Sequence, residues 1–164
     1  MLPFASGGFM YSKLFSVQPT LDTSAYATGD YMGSIVTVTD FFRNVGGVNH
    51  LNSIVVVDEA KQKAQFDILF FDSLPTVASA DNAAIDIADA EMRKCIGYVS
   101  VLTADYTTDL AANSLATKSG LNLVLKGAAP SVGATKHLYV VLISRGSPTY
   151  AAASLTIKLG AVQS

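Results

Sequence analysis

Short apolar runs separated by turn residues dominate this chain, and that rhythm admits few folds. The runs lie near residues 13–17, 33–39, 51–57, 64–71, 96–102, 121–126, 137–144 and 154–159. Between them stand Thr28-Gly29-Asp30, Gly46-Gly47, Ser119-Gly120, Gly127 with Pro130, and Arg145-Gly146-Ser147-Pro148. Such punctuation predicts an all-β chain folded as an antiparallel β-sandwich. In 121–126, Leu121, Leu123 and Leu125 share one face; in 155–159, Leu155, Ile157 and Leu159 oppose Thr156 and Lys158. This alternation marks strands with one buried and one wet face. The stretch 58–63 reads as the charged connector of a hairpin between the runs 51–57 and 64–71.

Two runs break the alternation. Ile54-Val55-Val56-Val57 and Leu138-Tyr139-Val140-Val141-Leu142-Ile143 are apolar on both faces, so both faces need cover. The inner face of a sandwich supplies one cover, and a neighbouring molecule is the expected source of the other. One segment departs from the β rhythm. Asp86 as N-cap, early acids Asp89 and Glu91, and late Arg93 and Lys94 predict a short helix over 86–94, packed at one end of the sandwich. Residues 1–11 are Gly-rich with Phe4, Phe9, Met10 and Tyr11, the pattern of an arm that orders against another molecule or folds back on its own core; 12–164 form the expected sandwich domain.

Composition narrows function. Half of the 164 residues are apolar and only 15% charged, too apolar for a disordered chain. The net charge of −2 offers no basic field for nucleic acid, and the apolar runs fall far short of the roughly 18–20 residues of a membrane span. The N-terminus lacks the basic region and continuous apolar stretch of a signal peptide, so folding in the compartment of synthesis is expected. Cys95 stands alone, which rules out an intrachain disulfide and reads as a structural thiol.

Catalytic patterns are missing. His50 reads as a turn residue and His137 as a strand start; with one cysteine they make no zinc-binding spacing. There is no G-x-S-x-G and no phosphate-binding glycine motif. Asp67, Asp72, Asp81, Asp86, Asp89 and Glu91 make the middle of the chain acidic, but their spacing matches no calcium loop and suits caps and turns. The sequence therefore predicts no catalytic residue, no metal and no cofactor. Tyr26, Tyr31, Phe41 and Phe42 surround Asp30 and Asp40, the wrong charge for nucleic acid; an aromatic carbohydrate platform stays open.

An ordered set of motifs runs through most of the chain. It begins with Tyr26-Ala-Thr-Gly-Asp-Tyr-Met-Gly33, Leu51-Asn-Ser-Ile-Val-Val-Val-Asp58, and Phe66-Asp-Ile-Leu-Phe-Phe-Asp72 with Pro75. It continues through Asp81-Asn-Ala-Ala, the turn 86–89, Ile96-Gly-Tyr-Val, Arg145-Gly-Ser-Pro-Thr-Tyr150 and Leu155-Thr-Ile-Lys-Leu-Gly160. Over 26–160 this order resembles tailed-bacteriophage virion structural proteins of the capsid decoration, or cement, kind. The resemblance implies a jelly-roll-like sandwich without enzymatic activity, made in the host bacterial cytoplasm. It also implies self-association as a homotrimer on the outer capsid surface, bound to the major capsid protein, with no nucleic acid or membrane partner. The expected interface residues are Phe4, Phe9 and Tyr11 of the arm and Tyr139, Val141 and Ile143 of the doubly apolar run. The competing expectation is a receptor- or glycan-binding module of a tail or head fibre, with loops 40–50 and 75–85 presenting Phe41 and Phe42.

Overall fold

The computed structural model describes residues 10–164. Nine strands are laid down in chain order: β1 (Tyr11–Val17), β2 (Tyr31–Val38), β3 (Val48–Asp58), β4 (Phe66–Phe71), β5 (Cys95–Val101), β6 (Thr108–Asp109), β7 (Ser114–Lys126), β8 (Leu138–Ser144) and β9 (Leu155–Gln163). They form two antiparallel sheets, ordered β1-β9-β3-β7-β6 and β2-β8-β4-β5. Leaving aside the two-residue β6, β1 pairs with β9, β2 with β8, β3 with β7 and β4 with β5. The chain is thus folded back on itself like a long hairpin and rolled up, which is the jelly-roll form of the β-sandwich.

The core lies between the sheets and follows strand alternation. In β9, Leu155, Ile157, Leu159 and Ala161 are buried, while Thr156, Lys158, Gly160 and Val162 point away. From the other sheet come Phe66, Ile68 and Phe70 of β4 and Leu138, Val140 and Leu142 of β8. Phe15, Phe41 and Phe42 close one end, with ring centroids 5.0 Å apart in each successive pair. Phe41 reaches that position because Asp40 adopts a left-handed turn (φ 51°) and the Phe41 carbonyl accepts both the Asn49 and Gln163 side-chain amides.

Three local expectations are corrected. The connector 58–63 does not close a hairpin, since β3 and β4 belong to different sheets. Its turn is organised by the buried Asp58 carboxylate, which accepts the N–H groups of Ala60 (3.1 Å) and Lys63 (2.7 Å) and carries the chain across the sandwich. Ser119-Gly120 is not a boundary. It is a bulge inside β7, where Gly120 (φ 68°) and Asn122 (φ 46°) absorb a register shift against β3. The predicted helix is one turn, α1 (Asp89–Met92), behind Ala88 rather than Asp86. Asp86 is engaged elsewhere: its N–H donates to Ser79 Oγ and its carbonyl accepts from Ala78.

Burial pushes the Asp58 carboxyl above the ordinary value of 3.8, against the opposing hydrogen bonds from Lys63, Ala60, Gln62 and Ser114. A group whose folded pKa is raised favours the folded state most when protonated. Its contribution is present below the unfolded value and is lost as pH rises through the folded one. Asp58→Ala should cost about 2–4 kcal/mol by leaving turn donors unpaired. The stability of Asp58→Asn relative to the native chain should improve as pH rises from 3.8. Denaturant unfolding at several pH values checks both signs.

Candidate docking surfaces

The sandwich has two outer faces, and they are treated differently. On the four-stranded sheet, Asp67, Leu69 and Phe71 of β4, Tyr139, Val141 and Ile143 of β8, and Tyr31 of β2 share the outward side. Except for Asp67, all of these are buried. The cover is the chain's own 72–94 segment, through Val77, Ile85 and Ile87, with Cys95 and Ile35 completing the cluster. The neighbour expected over β8 is therefore part of the same molecule. Tyr139, Val141 and Ile143 lie beneath it, whereas Phe4 and Phe9 lie outside the described residues.

Polar bonds fix this cover to β2. The Tyr31 N–H donates to the Ala83 carbonyl and the Ile85 N–H to Gly29, while the Tyr31 carbonyl accepts from Asn82. Asp81 Oδ1 accepts the Gly33 N–H (2.6 Å) and the Tyr26 hydroxyl (2.8 Å). Gly33 has φ 76°, and a side chain there would meet the Thr20 carbonyl oxygen at 2.6 Å, so only glycine serves. Burial, with the Asp81 charge, pushes the Tyr31 hydroxyl up to about 12. At the helix end, Glu91 pairs with Lys94 (2.7 Å) and accepts the Thr76 N–H (2.6 Å), which hold its carboxyl below the usual range.

Asp81 and Glu91 of this segment thus serve as loop fasteners. Asp72 accepts from Ser73, and among the described residues no cluster of three or more His, Cys, Asp or Glu side chains could hold a metal. His50 is a strand residue in β3 rather than a turn residue, with Nδ1 3.4 Å from Asn122 Oδ1. His137 stands just before β8 and accepts the Asp40 N–H. The aromatic platform is also corrected: Tyr26, Tyr31, Phe41 and Phe42 are all buried and present no ring for stacking. No helix among the described residues is long and apolar enough to cross a membrane.

Among the described residues, the outer face of the five-stranded sheet has no such cover. Its rows run across the strands as Ser12, Val162, His50 and Val124, then Leu14, Gly160 and Ser53, then Ser16, Lys158, Val55 and Thr117, then Thr156, Val57 and Leu115. No carboxylate stands on this face, and its cations are Lys158 and, at the rim, Lys126. Leu14 and Val124 are 62% and 53% exposed. Exposed antiparallel faces ordinarily turn polar residues to water; here half of the doubly apolar run 54–57, Val55 and Val57, faces outward without a lid. A shallow depression between Leu14, Asn52, Ser53 and Val162 marks its centre. Part of the exposed apolar surface lies here, and the doubly apolar run 54–57 of the sequence places Val55 and Val57 on it.

No protein-family model matches the sequence, and no curated protein matches it. Solved structures similar in arrangement include one of Desmodium yellow mottle tymovirus, with 13% identity and a TM-score of 0.30 over 99% of this chain and 86% of that chain. Another, of turnip yellow mosaic virus, has 10% identity and a TM-score of 0.32 over 99% and 85%. A third, of Israeli acute paralysis virus, has 11% identity and a TM-score of 0.27 over 95% and 67%. The jelly-roll assignment rests on this chain's own strand order, independently of these superpositions.

Asp81→Ala should unfasten the cover from β2. Amide exchange across 72–94 should quicken, with a loss of about 1–3 kcal/mol in stability, while amides of β3 and β9 keep their relative protection.

Proposed function

We propose that this chain is a non-enzymatic structural protein of a virion, which decorates and stabilises the capsid shell by binding across capsid subunits. The observation that carries the docking half of this reading is the open face of the five-stranded sheet. It is free of carboxylates and carries exposed Leu14 and Val124 with half-buried Val55, Val57 and Leu115. Surfaces of this kind are energetically at home against other protein. The virion half rests on the ordered motifs between Tyr26 and Gly160 and on what their resemblance implies.

The fold suits such a role physically. A cement has to transmit load without yielding, and a closed sandwich whose second face is sealed by its own loop is stiff. Repetition over a shell adds avidity, so each single contact can be weak. The outer capsid surface is the corresponding location, and the major capsid protein is the corresponding partner.

The test adds purified protein to expanded empty heads lacking it. Binding at micromolar concentration, with greater resistance of the heads to heat, is expected. Val57→Glu with Val124→Glu should weaken that binding about ten-fold, or by roughly 1.4 kcal/mol, without unfolding the chain. Failure of the native protein to bind heads overturns the reading, and adsorption to host cells instead would favour the receptor-binding alternative.

A further inference from the structure

β1 is the outermost strand of the five-stranded sheet. It pairs with β9 at seven consecutive positions, from Tyr11↔Gln163 to Val17↔Ile157, and no described strand pairs with its other side. A free strand edge is a row of unused backbone donors and acceptors, and folded proteins ordinarily blunt it. In the four-stranded sheet, the backbone of Ala83 and Asn82 is bonded to Tyr31 at the β2 rim and the β5 rim carries a register shift; at the far rim of the five-stranded sheet, β6 is only two residues long. β1 carries no proline, no register shift and no positive φ. Its midpoint side chain, Leu14, is 62% exposed, and Tyr11 is 51% exposed.

The chemistry of such an edge specifies an extended backbone as its occupant. The sequence of β1 then specifies which one. If two copies of the strand meet antiparallel about a two-fold axis normal to the sheet, facing residues must lie on the same side. The axis must then pass through a residue. An axis at Lys13 sets two ammonium groups opposite each other, which is repulsive. An axis at Phe15 leaves Tyr11 and Ser12 without partners. An axis at Leu14 pairs all seven residues. Leu14 then meets Leu14 and Ser12 meets Ser16. The single charge of the strand, Lys13, faces the partner's Phe15, the ring type over which Lys13 Nζ already sits at 4.6 Å within its own chain.

We propose that two copies of this chain associate by antiparallel pairing of their β1 strands about Leu14, joining two five-stranded sheets into one continuous sheet. The pairing removes the free edge, buries Leu14 and doubles the open outer face without interrupting it. It is isologous and closes at two copies, whereas the trimer implied by the family resemblance requires a head-to-tail contact. A single pair of strands is smaller than a standard interface of roughly 1,200–2,000 Å², so the association belongs to the micromolar range. The proposal concerns the protein in solution and stands apart from head binding; either can fail without the other.

Sedimentation equilibrium from about 1 to about 300 μM spans that range. A monomer–dimer transition is expected, with the Leu14→Lys chain dissociating at least about ten-fold more readily. Geometry is read separately by cross-linking. In a Cys95→Ser background, Leu14→Cys should give a disulfide-linked dimer under mild oxidation, because directly facing Cβ atoms lie about 4.5–5.5 Å apart. Val124→Cys, exposed on the same sheet face but away from the edge, should not. A monomer throughout the range, a trimer, or equal cross-linking at the two positions overturns the proposal. Since the cross-link is formed by an otherwise neutral variant, misfolding of Leu14→Lys would not shield it.

Discussion

Seven consecutive buried residues with apolar side chains on both faces make β8 an interior strand, and that condition shapes everything around it. It must be a central strand, which requires β2 and β4 as flanks; it needs a second sheet on one side and a lid on the other. The lid is built from the chain's middle, and its length and fastenings follow from the need to reach across β4 and β8 and bond to β2. The outward side of the four-stranded half is thereby covered over β8, while Tyr98 of β5 stays 64% exposed on the same side.

The two sheets thus divide the work. One is sealed by the chain itself, with acids such as Asp81 and Glu91 spent on holding loops in place. The other has no lid among the described residues, carries little charge over most of its width, and is bordered by a strand with no described partner on its outer side. A low charge content, odd for a chain with so much apolar surface, becomes intelligible as a distribution: carboxylates gather at turns and on the lid, and none stands on the open face.

Strand alternation made most of the fold legible. It placed Leu121, Leu123 and Leu125 on one side of β7 and Leu155, Ile157 and Leu159 on one side of β9, as the structure has them. It overlooked the first half of β7, because Ser-Leu-Ala-Thr-Lys-Ser-Gly has neither apolar periodicity nor β-branched enrichment; pairing with β3 holds it extended. The helix was overestimated because Asp86, the expected N-cap, is bonded to Ser79 and Ala78 instead, and the single turn starts behind Ala88 with no side-chain cap. For the site, the need for cover over β8 was readable, but not its source. Val77, Ile85 and Ile87 are scattered among small and acidic residues, and only three-dimensional closure brings them together. Val55 and Val57, by contrast, were signalled by their run and face outward, half-buried.

The nested pairing of the strands has a kinetic side. β4 with β5 is the innermost ladder, and each ladder outward joins segments farther apart along the chain, ending with β1 on β9. Closing that last ladder ties a loop containing nearly the whole described chain, and such long-range closure is paid for in entropy before its contacts form. During synthesis β1 emerges first among the described strands and waits longest, since β9 is the last of them to leave the ribosome. The strand that borders the finished body is the one that spends its early life as an unattached ribbon, and productive assembly depends on the rest of the fold arriving before another ribbon does.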